Sequence, residues 1–99
     1  MKIFITLKAI EILDDPVAGP TAEKAVREAV RIALGEPKES GNPERNKTTW
    51  YAYNCPLALH CRINQGIVLT FTRSHSGMPF MPDELFDELL PHCLEIPVA

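Results

Sequence analysis

The chain carries no catalytic signature. It has no phosphate-binding glycine loop, no nucleophile elbow of the Gly-x-Ser-x-Gly kind and no paired metal-ligand motif. No apolar run approaches the ~18 residues of a membrane span. The apolar start Ile3–Leu7 is too short, and alternates too strongly, for the hydrophobic part of an export signal. Three cysteines cannot make a paired disulfide framework. Taken together these absences point to a soluble protein of the reducing cytoplasm. Basic charge is also scarce: 10 Lys and Arg stand against 13 Asp and Glu, a net charge of −3. Holding a nucleic-acid backbone needs clustered cations. The expected partner is therefore a protein or a nucleoprotein complex met through protein, with no direct nucleic acid and no membrane.

What is present patterns as one small domain over residues 1–99. At this size a chain buries a single modest core. Nine prolines punctuate the segments, and the seven aromatics are few. Ile3, Ile5 and Leu7 alternate with Phe4, Thr6 and Lys8, which is a strand period. Ile10 and Ile12 continue it in the opposite phase, so the reading places a bulge near Ala9. Asp14-Asp15-Pro16 and Gly19-Pro20 then break the chain.

Thr21 suits a helix N-cap, and Ala22–Leu34 has helical period. Ala22, Ala25, Val26, Ala29, Val30 and Ala33 form its apolar stripe, with Gly35 expected at the C-terminal cap. So alanine-rich a face lets the helix approach a sheet closely. Glu36–Lys47 is a polar stretch of mixed charge without periodicity, and Thr48–Cys55 is β-prone.

Leu57, Leu59, Cys61 and Ile63, then Ile67, Leu69 and Phe71, alternate on either side of Asn64-Gln65-Gly66. Taking those three residues as the loop opposes Ile63 to Ile67, Cys61 to Leu69 and Leu59 to Phe71, and puts all six on one face. Pro82 opens a second helix that runs to Leu90, with Leu85, Phe86 and Leu89 inward. Leu94–Ile96 reads as a last short strand. The expected core is Ile3, Ile5, Leu7, Val26, Ala29, Val30, Ala33, Leu59, Cys61, Ile63, Ile67, Leu69, Phe71, Leu85, Phe86 and Leu89. The order suggests an α+β fold of the ferredoxin-like βαββαβ layout: an antiparallel sheet of four or five strands with two helices on one face.

Candidate chemistry is sparse. Cys55, His60, Cys61, His75, His92 and Cys93 supply metal-ligating types, but the spacing matches no zinc knuckle, and neighbouring strand residues point to opposite faces. No metal or other cofactor is expected, although a small Cys/His metal-binding or enzymatic domain built on Cys55, His75, His92 and Cys93 stands as the rival reading. Asp83, Glu84, Asp87 and Glu88 form an acidic helix face, most simply a solvated one, with steering toward a basic partner as the alternative. Just before it, Met78, Phe80 and Met81 are either the lid of that helix or exposed anchors, since Met and aromatics are enriched in interface cores. These seven residues are the candidate partner-binding site. The leading functional expectation is a non-enzymatic inhibitor or regulator that occupies a partner's surface; a homodimeric structural module is a third possibility.

In size, acidity and βαβ-type layout, and in the segment Thr21-Ala22-Glu23-Lys24-Ala25 through Ala33-Leu34-Gly35 that follows a strand, the chain resembles the anti-CRISPR proteins. These are small proteins of phages and mobile elements that inhibit bacterial defence complexes. The resemblance implies a stoichiometric binder of a nucleoprotein complex, with acidic residues competing for surfaces that normally hold nucleic acid. It assigns no individual residue a role.

Overall fold

A computed structural model describes residues 1–72 and 80–98. Along the chain come β1 (Ile3–Ile5), α1 (Leu7–Asp14), α2 (Gly19–Gly35), a 3-10 turn (Pro43–Asn46), β2 (Lys47–Trp50), β3 (Leu57–Arg62), β4 (Gly66–Phe71), α3 (Asp83–Leu89), a second 3-10 turn (Leu90–His92) and β5 (Leu94–Ile96). The strands form one five-stranded sheet in the order β2-β3-β4-β1-β5. The fold is thus α+β with a single sheet. That sheet is mixed rather than antiparallel throughout, because β1 lies parallel to β4, while every other neighbouring pair is antiparallel.

The first departure from expectation is α1. The expected strand through Lys8, with its bulge near Ala9, ends at Ile5 and gives way to a helix. Thr6 is the reason. Its hydroxyl accepts from the Ala9 N–H at 3.2 Å, satisfying an orphan donor of the first turn. The change of phase between Leu7 and Ile10 is a helical period: Ala9 is buried and Ile10, Ile12 and Leu13 pack against the core. Leu7, expected in that core, is 61% exposed because the helix turns it outward.

The second helix begins at Gly19, earlier than the expected Ala22. Asp15 prepares it: its carboxylate accepts from the N–H groups of Val17 at 2.8 Å and Ala18 at 2.9 Å. Thr21 is therefore inside the helix and does not cap it. Pro20 is tolerated in the first turn, where its missing N–H is not needed. Gly19 has a packing role, since a Cβ there would sit 2.4 Å from the Leu13 carbonyl oxygen. At the other end the left-handed residue is Glu36, one position beyond Gly35. Ala22, Ala25, Ala29 and Ala33 are buried against the sheet, as the stripe predicts.

The hairpin forms with a register shifted from expectation. Leu57 opposes Phe71, Leu59 opposes Leu69, and Cys61 opposes Ile67. The loop is Ile63-Asn64-Gln65: Asn64 takes the left-handed conformation, and the Gln65 N–H returns to the Arg62 carbonyl at 2.9 Å. Gly66 becomes the first residue of β4, opposite Arg62. Its φ is +116°, and a Cβ would meet the Lys2 carbonyl oxygen at 2.8 Å and the Phe4 ring at 2.9 Å. Only glycine suits that close approach of β1. A slip of two residues keeps every strand side chain on its face, so Leu57, Leu59, Cys61, Ile67 and Leu69 stay inward even though their partners change, and Ile63 leaves the strand for the loop.

A further correction concerns layers. The two helices were expected on one face, but α1 and α2 cover one face of the sheet while α3 covers the other. The first layer buries Ile3, Ile5, Leu57, Leu59, Cys61, Ile67 and Leu69. The second is a smaller cluster of Val68, Met81 and Phe86, with Phe4, Leu85, Leu89, Leu90 and Cys93 against it. Covered on both sides, Ala58, His60, Val68 and Thr70 are buried where alternation alone turns them to water. Ile63, Phe71, Val26, Val30, Leu85 and Leu89 of the expected core are half-buried.

Candidate functional site

The helix α3 is attached to the sheet by charge as well as by apolar contact. Lys47 and Arg62 are cross-strand partners on β2 and β3, so both project from the face that α3 covers. The Asp83 carboxylate lies 3.0 Å from the Lys47 ammonium and 3.6 Å from the Arg62 guanidinium. One turn later Asp87 meets Arg62 at 3.3 Å. Arg62 also stands over the Phe86 ring, 5.4 Å from its centroid, within cation–π range. The hydrogen bond from Lys47, together with the positive field of Arg62 and Lys47, holds the Asp83 carboxyl below its ordinary range.

Beside this seam His60 is 2% exposed. Its Nδ1 is hydrogen-bonded to the Thr49 hydroxyl at 3.0 Å, and the Tyr51 ring meets it edge-on with centroids 6.2 Å apart. Phe80, Met81 and Phe86 close the space over β2 and β3, leaving only about 10 Å³. That is about the volume needed for one water. The seam is an internal joint, too tight to be a substrate cleft.

The candidate site residues therefore divide. Met78 lies outside the described residues. Met81 is 4% exposed and packs with Val68 and Phe86, so it serves as the lid of α3. Phe80 is half-buried in the same layer. Asp83 and Asp87 turn toward the sheet cations. Glu84 and Glu88 are exposed, and neither makes an ion pair among the described residues. Lys47, Arg62, Thr49 and His60 were not expected at this site. The shared alternation of Lys47, Thr49 and Tyr51 with His60 and Arg62 is their one trace in the sequence.

Cys55 and Cys93 of the rival reading lie on opposite sides of the sheet. Cys55 is buried on the α2 side, where its thiol donates to the Thr21 carbonyl at 3.5 Å. Cys93 packs on the α3 side and donates to the Leu89 carbonyl at 3.2 Å. Burial pushes the Cys61 and Cys93 thiols up, away from the thiolate that nucleophilic or metal chemistry uses. His92 is exposed in the second 3-10 turn, and His75 lies outside the described residues. Among the described residues no three His, Cys, Asp or Glu side chains converge as metal ligands. No helix among them is long and apolar enough to cross a membrane.

The fold and this joint define a small mixed-sheet α+β domain with an acidic helix ion-paired to one sheet face. Comparison with protein-family models, with curated proteins and with solved structures finds no match.

Proposed function

We propose that the chain is a non-enzymatic binding protein of the cytoplasm that acts by occupying a partner's surface, with α3 as the element it presents. The observation that supports this is the division of the α3 carboxylates. Asp83 and Asp87 are spent on Lys47 and Arg62, which orients the helix. Glu84 and Glu88, one turn apart, are left exposed. A helix held in this way offers fixed negative charge at low entropic cost, which favours encounter with a basic surface. The matching partner is a protein or nucleoprotein complex with an exposed cationic groove. An inhibitor of the anti-CRISPR kind works on such a target.

A photo-crosslinking residue at Glu88, compared with one at Glu23 on the exposed side of α2, tests the reading in the cell that makes the protein. Crosslinks to one defined protein from Glu88 and not from Glu23 support it. Equal or absent crosslinking from Glu88 overturns it. With the purified partner, Glu84→Lys and Glu88→Lys together should slow association.

A further inference from the structure

A cleft of about 370 Å³ lies at the end of the sheet where β1 begins, bounded also by the β3–β4 turn and by the residues that follow α2. Small-ligand sites span ~300–1,000 Å³. The half-buried Met1, Pro37 and Ile63 give the cleft its apolar wall. The Cys61 thiol meets the Met1 sulfur at 3.8 Å, which ties that wall to the core. Ile63 belongs to it because the residue has left β3 for the turn.

The polar lining carries charge of both signs that the fold does not use. Lys2 and Glu36 are exposed at the cleft. Among the described residues the ion pairs all join other side chains. Other cavities of the molecule lack this combination. The groove beside β2 has its Glu28 and Arg31 spent on one another. The cleft at Ile12, Cys55 and Phe71 is lined by no charged residue, and the seam beneath α3 is filled.

Backbone conformation marks the same cleft. Among the described residues, φ is positive at Glu36 (43°), Asn54 (56°), Asn64 (74°) and Gly66 (116°), and all of these except Asn54 line it. Asparagine and glycine suit such angles. Glutamate does not, and a helix ending one residue earlier would have put Gly35 in that position. The Glu36 carboxylate makes no hydrogen bond or ion pair within the described structure that would offset the cost. Strain of this kind clusters where residues hold a ligand, and here it holds a carboxylate at the cleft.

We propose that this cleft binds a small zwitterion with an apolar body, of the class of a free α-amino acid with an aliphatic side chain. The ligand's ammonium group meets the Glu36 carboxylate, its carboxylate meets the Lys2 ammonium, and its side chain lies on Met1, Pro37 and Ile63. A ligand of one sign would answer one of these charges and be repelled by the other. The side-chain amides of Asn64 and Gln65 add neutral donors and acceptors at the same opening. No lining residue belongs to α3, so the proposal does not rest on the function proposed above.

Titration of the whole chain, followed by amide chemical shifts in NMR spectra, tests this with L-leucine, N-acetyl-L-leucine and L-leucinamide as probes. Leucine should bind with a dissociation constant of about 1 mM. It should move the amides of Lys2, Glu36 and residues 63–66 and leave those of α3 in place. Each capped probe lacks one charge and should bind about fivefold more weakly, as should leucine to Lys2→Gln or Glu36→Gln. Glu36→Gly, in which the new residue suits the angle, should stay folded and lose affinity to the same extent. A wild type without localised shifts at about 20 mM leucine, well above the expected constant, overturns the proposal. So do capped probes that bind as tightly as leucine, or a folded Glu36→Gly that binds like the wild type.

Discussion

The Asp83 carboxylate of α3 stands 3.0 Å from the Lys47 ammonium of β2, and this contact joins the last helix to the outermost strand of the sheet. Arg62 stands between the two aspartates of α3 and completes the joint. The apolar layer beneath is small, with Val68, Met81 and Phe86 as its buried members. The placement of α3 therefore combines this apolar layer with polar contacts to the sheet.

Arg62 should matter more to α3 than Lys47 does. It reaches two carboxylates and covers the Phe86 ring, whereas Lys47 reaches one. Native-state hydrogen exchange should show faster opening of the 83–89 amides in Arg62→Ala than in Lys47→Ala, with the β3–β4 amides little changed. Equal exchange in the two variants would assign the placement of α3 to Met81 and Phe86 alone.

Acid should loosen the molecule at two places. Asp15, accepting from the N–H groups of Ala18 and Val17, and Asp83, beside Lys47 and Arg62, both titrate below their ordinary value of 3.8. A carboxyl lowered by folding stabilises fully above its unfolded pKa. That stability is lost as pH falls through the lower folded value. Asp15→Asn and Asp83→Asn should thus unfold more easily than the wild type at neutral pH, and the difference should shrink in strong acid. A gap that is constant with pH would mean that the charge contributes nothing.

Leu69 is fully buried between Ile5 and Leu59 in the centre of the sheet. Leu69→Ala should cost about 2–5 kcal/mol by denaturant unfolding. A loss below about 0.5 kcal/mol, the scale of ordinary surface substitutions, would contradict the packing of α1 and α2 on this face.

Gly66→Ala should destabilise by more than the ~1 kcal/mol typical of a point substitution. The added methyl meets both the positive φ and the Lys2 carbonyl. Gly35→Ala is the control, because nothing lies within 4 Å of a Cβ there, and it should be neutral or stabilising.

With the partner in hand, association with the wild type should slow as salt rises, because exposed charges are screened over about 10 Å at ordinary ionic strength. Glu84→Lys with Glu88→Lys should slow association and flatten that dependence. Phe80→Ala should lower thermal stability, since its ring closes the packed seam over β2 and β3. A partner rate unaffected by either salt or the double change would remove charge steering from the account.

Local sequence determined the elements whose signals agree with one another. The alanine stripe of α2, the alternation of β3 and β4, and the acid-led start of α3 each follow from propensity and periodicity over adjacent residues. The two-residue slip of the hairpin left Leu57, Leu59, Cys61, Ile67 and Leu69 buried, because strand side chains repeat every two positions, while Ile63 passed into the loop. The acidic residues of α3 were equally plain. What alternation misread was Leu7–Asp14, where a short apolar segment fits strand or helix; the Thr6 cap and the burial of Ala9 against α2 decided it.

Only the tertiary structure decided which side of the sheet α3 takes, and with it the roles of Lys47, His60, Arg62, Asp83 and Asp87. Arg62 and Asp87 are 25 residues apart in the chain, and no local pattern records such a pairing. The parallel placement of β1 against β4 is of the same kind. Hydrophobic period shows that a face is buried, but what buries it depends on how chain segments remote in sequence are packed together.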